Sequence, residues 1–124
     1  MTLKLLTSDG PVVRFEVIGK ITRDGWTQLG DPLANLFGEG IYQHRCLLSL
    51  SHALYIDSTG VEWLLAAHQR FSREGGMLIL HSPTPASKQL LKMMRMELVL
   101  HIVDDEREAL RLATQEENSN GKQR

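Results

Sequence analysis

Three side chains with usable oxygen chemistry fall together in Asp57-Ser58-Thr59-Gly60, directly after the apolar pair Tyr55-Ile56. A carboxylate beside two hydroxyls supports either of two chemistries. The hydroxyls can cap a helix by accepting backbone N–H bonds, the commonest use of Ser, Thr and Asp before a helix. Alternatively, one hydroxyl faces solvent and serves as a nucleophile or as the acceptor of a transferred group. Thr59-Gly60-Val61-Glu62 has the form of a capping box, in which Thr59 caps and Glu62 reaches back. With Ser58 as the cap instead, the third helical position is Val61, which cannot reciprocate. The spacing therefore prefers Thr59 as cap and leaves the Ser58 hydroxyl free.

The elements around the turn must hold it in place. Leu47-Leu48-Ser49-Leu50-Ser51 reads as a strand leading toward it. After Gly60, Val61, Leu64, Leu65, His68 and Phe71 recur at helical spacing, until Gly75-Gly76 stops the helix. Met77-Leu78-Ile79-Leu80 is a second apolar strand, so strand, helix and strand make a parallel βαβ unit. Upstream, two strands between residues 3 and 18 flank the turn Asp9-Gly10-Pro11, and Val13, Phe15 and Val17 alternate with Arg14 and Glu16. They predict an antiparallel edge hairpin. Between Gly19 and His44 many glycines break the pattern, but Asp31-Pro32 opens a short helix through Leu33, Leu36 and Phe37, and Trp26 is expected to anchor the segment. Downstream, Thr84-Pro85 caps a helix with Leu90, Leu91 and Met94 inward. Met93, Met94 and Met96 are read as core filling in preference to a contact surface. Leu98 to Val103 forms the last strand, and Asp105 with Glu108 opens a closing helix through Leu112. Residues 114–124 are polar and aperiodic, and a disordered tail is expected there.

These residues carry a resemblance. Leu48-Ser49-Leu50-Ser51, Tyr55-Ile56-Asp57-Ser58-Thr59-Gly60, Gly75-Gly76-Met77-Leu78-Ile79-Leu80 and Val99-Leu100-His101-Ile102-Val103-Asp104-Asp105-Glu106 resemble, in order and spacing, the STAS domain of the anti-sigma factor antagonists. The likeness spans roughly residues 3 to 112. It implies a single α/β domain over residues 1–113, with a mixed sheet and about four helices packed mainly on one face. It also implies a protein-binding module in which Ser58, with Thr59 as second choice, is phosphorylated by an anti-sigma factor of the ATP-binding serine kinase type. A PP2C-like phosphatase would reverse the mark. The switch surface so implied is Asp57, Ser58, Thr59, Gly60 and Glu62. Three positions depart from the family pattern: Ser49 stands where aspartate is frequent, Glu62 where glycine is common, and Arg95 where a helix-ending glycine is usual. The alternative within the same family is a scaffold domain that assembles without phosphorylation.

Composition narrows the other classes. At 124 residues, with 42% hydrophobic and 23% charged side chains, the chain fits one soluble domain. A net charge of −1 gives no electrostatic case for nucleic acid or an anionic membrane, and no apolar run approaches a membrane span. The single cysteine, Cys46, excludes an internal disulfide and fits a cytoplasmic location. His44, His52, His68, His81 and His101 lack metal-ligand spacing, and His68 reads as a core residue. No Gly-x-Ser-x-Gly elbow surrounds Ser58, so neither an enzyme nor a cofactor is expected.

Overall fold

Near-continuous buried runs in β3 and β4 give this sheet two buried faces. The computed structural model describes residues 2–8, 10–22 and 31–122, with side-chain surroundings described through Thr114. In chain order the elements are β1 (Thr2–Thr7), β2 (Val12–Ile21), α1 (Pro32–Phe37), a 3-10 turn (Glu39–Gln43), β3 (Arg45–Ile56), α2 (Ser58–Glu74), β4 (Met77–His81), α3 (Pro85–Met93), a second 3-10 turn (Met96–Leu98), β5 (His101–Val103) and α4 (Glu106–Lys122). The five strands lie in the order β1-β2-β3-β4-β5. β1 runs antiparallel to β2, and all later pairs are parallel. The edge hairpin and the βαβ unit follow the sequence expectation, although Asp9 of the hairpin turn lies outside the described residues.

On one face, Val13, Phe15 and Val17 of β2, Leu48 and Leu50 of β3, and Leu78 and Leu80 of β4 pack with Leu33, Leu64, Phe71 and Leu91 of α1, α2 and α3. On the other face, Val12, Leu47 and Ile79 meet Ala109 and Ala113 of α4. Small residues on α4 let that helix lie close to the strands. Three helices thus cover one face and a fourth the other. Cys46 is fully buried, and burial pushes its thiol up to about 12, so it is a small apolar filler.

Asp31 joins three of these elements. Its carboxylate caps α1 by accepting from the Leu33 and Ala34 N–H groups at 3.1 and 3.3 Å. It also accepts from the Tyr42 hydroxyl at 2.7 Å and from Arg70 of α2 at 3.2 Å. The Arg70 guanidinium stacks 4.1 Å from the centre of the Tyr42 ring. Burial, followed by the bond to Asp31, raises the Tyr42 phenol well above its ordinary value.

Three boundaries differ from the expectation. β3 extends to Ile56, five residues beyond Ser51, and so reaches the Asp57 turn without a loop. The last strand begins at His101 rather than Leu98. Arg95 adopts the left-handed conformation in place of the usual glycine, and the 3-10 turn that follows takes up Leu98, leaving it 75% exposed. α4 continues past Leu112 to Lys122, into the segment expected as a tail; the Thr114 hydroxyl donates back to the Leu110 and Arg111 carbonyls at that point. Met94 and Met96 pack against the core as read, whereas Met93 is exposed. Trp26 lies outside the described residues.

The Asp31 junction is testable. Its ion pair to Arg70 is half-exposed and contributes at most about 1 kcal/mol. The cap and the phenol bond carry more, so Asp31→Ala should lower unfolding free energy by about 1–3 kcal/mol in a urea titration. Asp31→Asn, which can still cap, should cost less.

Candidate functional site

The end of β3 delivers Asp57 to the N-terminus of α2 in extended conformation. Its carboxylate accepts the Gly60 N–H at 3.0 Å and the Thr59 hydroxyl at 2.6 Å. Asp57 is therefore the N-cap, and Ser58, Thr59 and Gly60 are the first three helical positions. This corrects the expected capping box. Thr59 donates its hydroxyl to the aspartate instead of capping, and Glu62 falls at the fifth position, on the exposed side of the helix and too far along to reach back. A carboxylate outcompetes a hydroxyl here because it can accept both donors at once.

Ser58 stays outside the cap. Ser58 is exposed at the first helical position, and among the described residues its hydroxyl has no hydrogen-bond partner. Asp57, Ser58, Thr59 and Gly60 are brought together in one turn, with Glu62 one turn further along the same helix. The Thr59 hydroxyl, then the Gly60 N–H, hold the Asp57 carboxyl below its ordinary value, so it is anionic at neutral pH.

Gly60 fixes where the turn sits. A Cβ at this position would run into the backbone carbonyl of Ile21, at the end of β2. The first turn of α2 is thus pressed directly onto the sheet, with Val61 and Leu64 buried beneath it. This rigid mounting leaves Ser58 pointing outward.

Leu54 and Tyr55, at the end of β3, are 79% and 51% exposed. Sequence reasoning missed them as part of the site. The available signal was the unbroken run Ala53-Leu54-Tyr55-Ile56, which abandons the alternation of a half-buried strand. The turn thus presents one free hydroxyl and two carboxylates, and the strand that leads into it carries two exposed large side chains. Among the described residues no group of three or more His, Cys, Asp or Glu could hold a metal, and no helix is long and apolar enough to cross a membrane.

Fold and site together define a class: a one-sheet α/β domain with an exposed hydroxyl on the turn after its central strand. The chain belongs to the STAS domain family, whose model matches residues 8–109. Among solved structures it is similar to TM1081 of Thermotoga maritima, a candidate anti-sigma factor antagonist, with a TM-score of 0.75 and 20% identity over 91% of this chain and 93% of that one. It is also similar to the anti-sigma factor antagonist SpoIIAA in its unphosphorylated form, with a TM-score of 0.66 and 17% identity over 89% and 94% of the two chains. The phosphorylated form of SpoIIAA, described as a Bacillus cell fate determinant, gives a TM-score of 0.61 at 17% identity over 88% and 96%. A search of curated protein sequences found no significant match.

Two measurements check the site. Gly60→Ala should destabilise the domain by about 1–3 kcal/mol despite the better helix propensity of alanine, because the methyl group must push α2 off β2. The lowered Asp57 pKa predicts a pH signature. An acid with a depressed folded pKa stabilises above its unfolded value and loses that contribution as pH falls through the folded value. The gap in melting temperature between wild type and Asp57→Ala should therefore be widest near neutrality and narrow in acid.

Proposed function

We propose that this chain is a protein-binding module whose association with an ATP-binding serine kinase, acting as anti-sigma factor, is switched off by phosphorylation of Ser58. The observation that carries the reading is the position of that hydroxyl. It is exposed and unpartnered at the first position of a helix whose cap is supplied by its neighbour Asp57. A hydroxyl needed for capping would be lost to the fold on modification; this one is spare. The structural likeness to SpoIIAA in unphosphorylated and phosphorylated forms supports the same reading.

The mechanism is electrostatic. Phosphorylation adds about −1.5 to −2 charges and three acceptor oxygens. At a helix N-terminus the dipole favours such charge by about 0.3–1 kcal/mol, so the domain keeps its fold. The cost falls on the interface. Asp57 and Glu62 already place carboxylates beside the hydroxyl, and the added dianion makes the patch strongly negative. A partner that buries Leu54 and Tyr55 must then desolvate that charge without a counter-ion. Loss of about 1.4 kcal/mol weakens binding tenfold, and two or three times that amount releases the partner. A PP2C-like phosphatase would restore binding, and the site acts in the cytoplasm, where the kinase and ATP are present.

Incubation of the full chain with its kinase partner and ATP, followed by peptide mass mapping, should place a single phosphoryl group on Ser58 and none on Thr59, whose hydroxyl is bound to Asp57. In calorimetric titration with the same kinase, Ser58→Ala should bind as wild type and Ser58→Asp at least about tenfold more weakly. Equal affinities for the two variants would exclude the switch.

A further inference from the structure

A small cavity of about 110 Å³ lies between α3, the second 3-10 turn and β5, the strand at one edge of the sheet. Its lining is Leu91 and Ile102 with the charged residues Lys88, Lys92, Glu97 and Asp104. Leu91 is buried and Ile102 half-buried, so these two form the inner wall, while the four charged residues are exposed and form the rim. Lys88 and Asp104 pair with each other at 3.2 Å and tie α3 to the end of β5. Lys92 and Glu97 have no ion-pair or hydrogen-bond partner among the described residues.

Beside this hole stands a knob. The left-handed Arg95 turns the chain out of α3 into Met96–Leu98, and Leu98, next to the rim residue Glu97, is left 75% exposed. Val99 follows it, also exposed. On either side of this pair Met96 and Leu100 pack against the core. The chain therefore spends its inward positions on Met96 and Leu100 and holds a large apolar side chain in water at Leu98. Such a group favours association wherever an apolar recess can receive it.

The rim decides what that recess belongs to. It carries two ammonium groups and two carboxylates, which gives an anionic lipid surface or a nucleic acid no net attraction. Its two unpaired charges are of opposite sign, and one of them adjoins the knob. A surface that holds hole, knob, cation and carboxylate together is complementary to itself under a two-fold rotation. The rotation sets each Leu98 against the other copy's cavity and each Lys92 against the other copy's Glu97. A net charge of −1 opposes the approach of two copies only weakly.

We propose that a second copy of this chain docks here, forming a reversible two-fold dimer in which Leu98 of each copy enters the cavity between α3 and β5 of the other. The contact rests on few large side chains, so the dimer is weak and dissociates on dilution. None of these residues belongs to the switch surface around Ser58.

Sedimentation velocity of the full chain across micromolar to millimolar concentrations should show a monomer–dimer equilibrium. Leu98→Glu should weaken association at least about tenfold while leaving the thermal melt of the exposed position's host fold unchanged. Lys92→Glu and Glu97→Lys should each weaken it, and the double variant K92E/E97K, which restores opposite signs across the axis, should regain the wild-type affinity. Ser58→Asp should dimerise like wild type, so this outcome stands or falls separately from the switch. A single monomeric species at every concentration leaves the cavity to some other occupant and overturns the proposal. A dimer undisturbed by Leu98→Glu, or one that the double variant fails to rescue, overturns it as well.

Discussion

The contact between the first turn of α2 and the end of β2 is the constraint on which the rest of the structure depends. Because residue 60 has no side chain, the helix axis drops onto the sheet until backbone meets the Ile21 carbonyl. That approach buries Val61 and Leu64 and leaves the residues before Gly60 to make the helix start. Asp57 makes it, with one carboxylate oxygen serving both Thr59 and Gly60. The turn is consequently over-determined: its backbone is fixed from below by packing and from the front by a cap. Ser58 inherits that rigidity while contributing nothing to it.

If Ser58 is phosphorylated as proposed, two kinds of switch are open to the domain. In one kind, charge reorders a segment and the readout is conformational. In the other, the fold stands still and the interface reads the charge. For the proposed phosphorylation of Ser58, the energetics of the turn favour the second. The dipole term is small and favourable, the cap does not use the modified oxygen, and the adjacent carboxylates make the surface increasingly hostile to an apolar or acidic partner. Exposed Leu54 and Tyr55 sharpen the effect, since apolar groups favour association only where water and charge can be excluded around them.

Much of this was legible in the residues. Alternation in Val13-Phe15-Val17 and the helical spacing from Val61 to Phe71 identified the sheet and α2, because burial on one face writes its period directly into sequence. Asp31-Pro32 and Thr84-Pro85 marked two helix starts correctly, both being local cap chemistry. The cap of α2 was misassigned because the choice among Asp57, Ser58 and Thr59 depends on where the helix is pressed by Ile21, a contact thirty-nine residues away in the chain. The start of β5 was misread for a related reason. Leu98-Val99-Leu100 has strand composition, but the left-handed turn at Arg95 leads into a 3-10 turn that ends at Leu98, so the strand starts only at His101. His68 read as a core residue on the strength of its helical face, and only the structure places it against His101.

The truncated β5 also bears on why the domain has two distinct ends. At the end where the parallel strands finish, β3 leads into the capped turn. At the end where they begin, β4 starts two residues before β5 can pair with it, and the sheet edge is left open beneath α2. An open edge in a folded domain is normally covered or charged, because an exposed N–H invites another strand. Here Leu78, at that step, is buried in the core cluster that also holds Phe71 of α2, so packing covers the edge. The helix that joins the two ends is fixed to the sheet along its length by Val61, Leu64, Ala67 and Phe71. That seating fixes the position of the capped turn relative to the sheet.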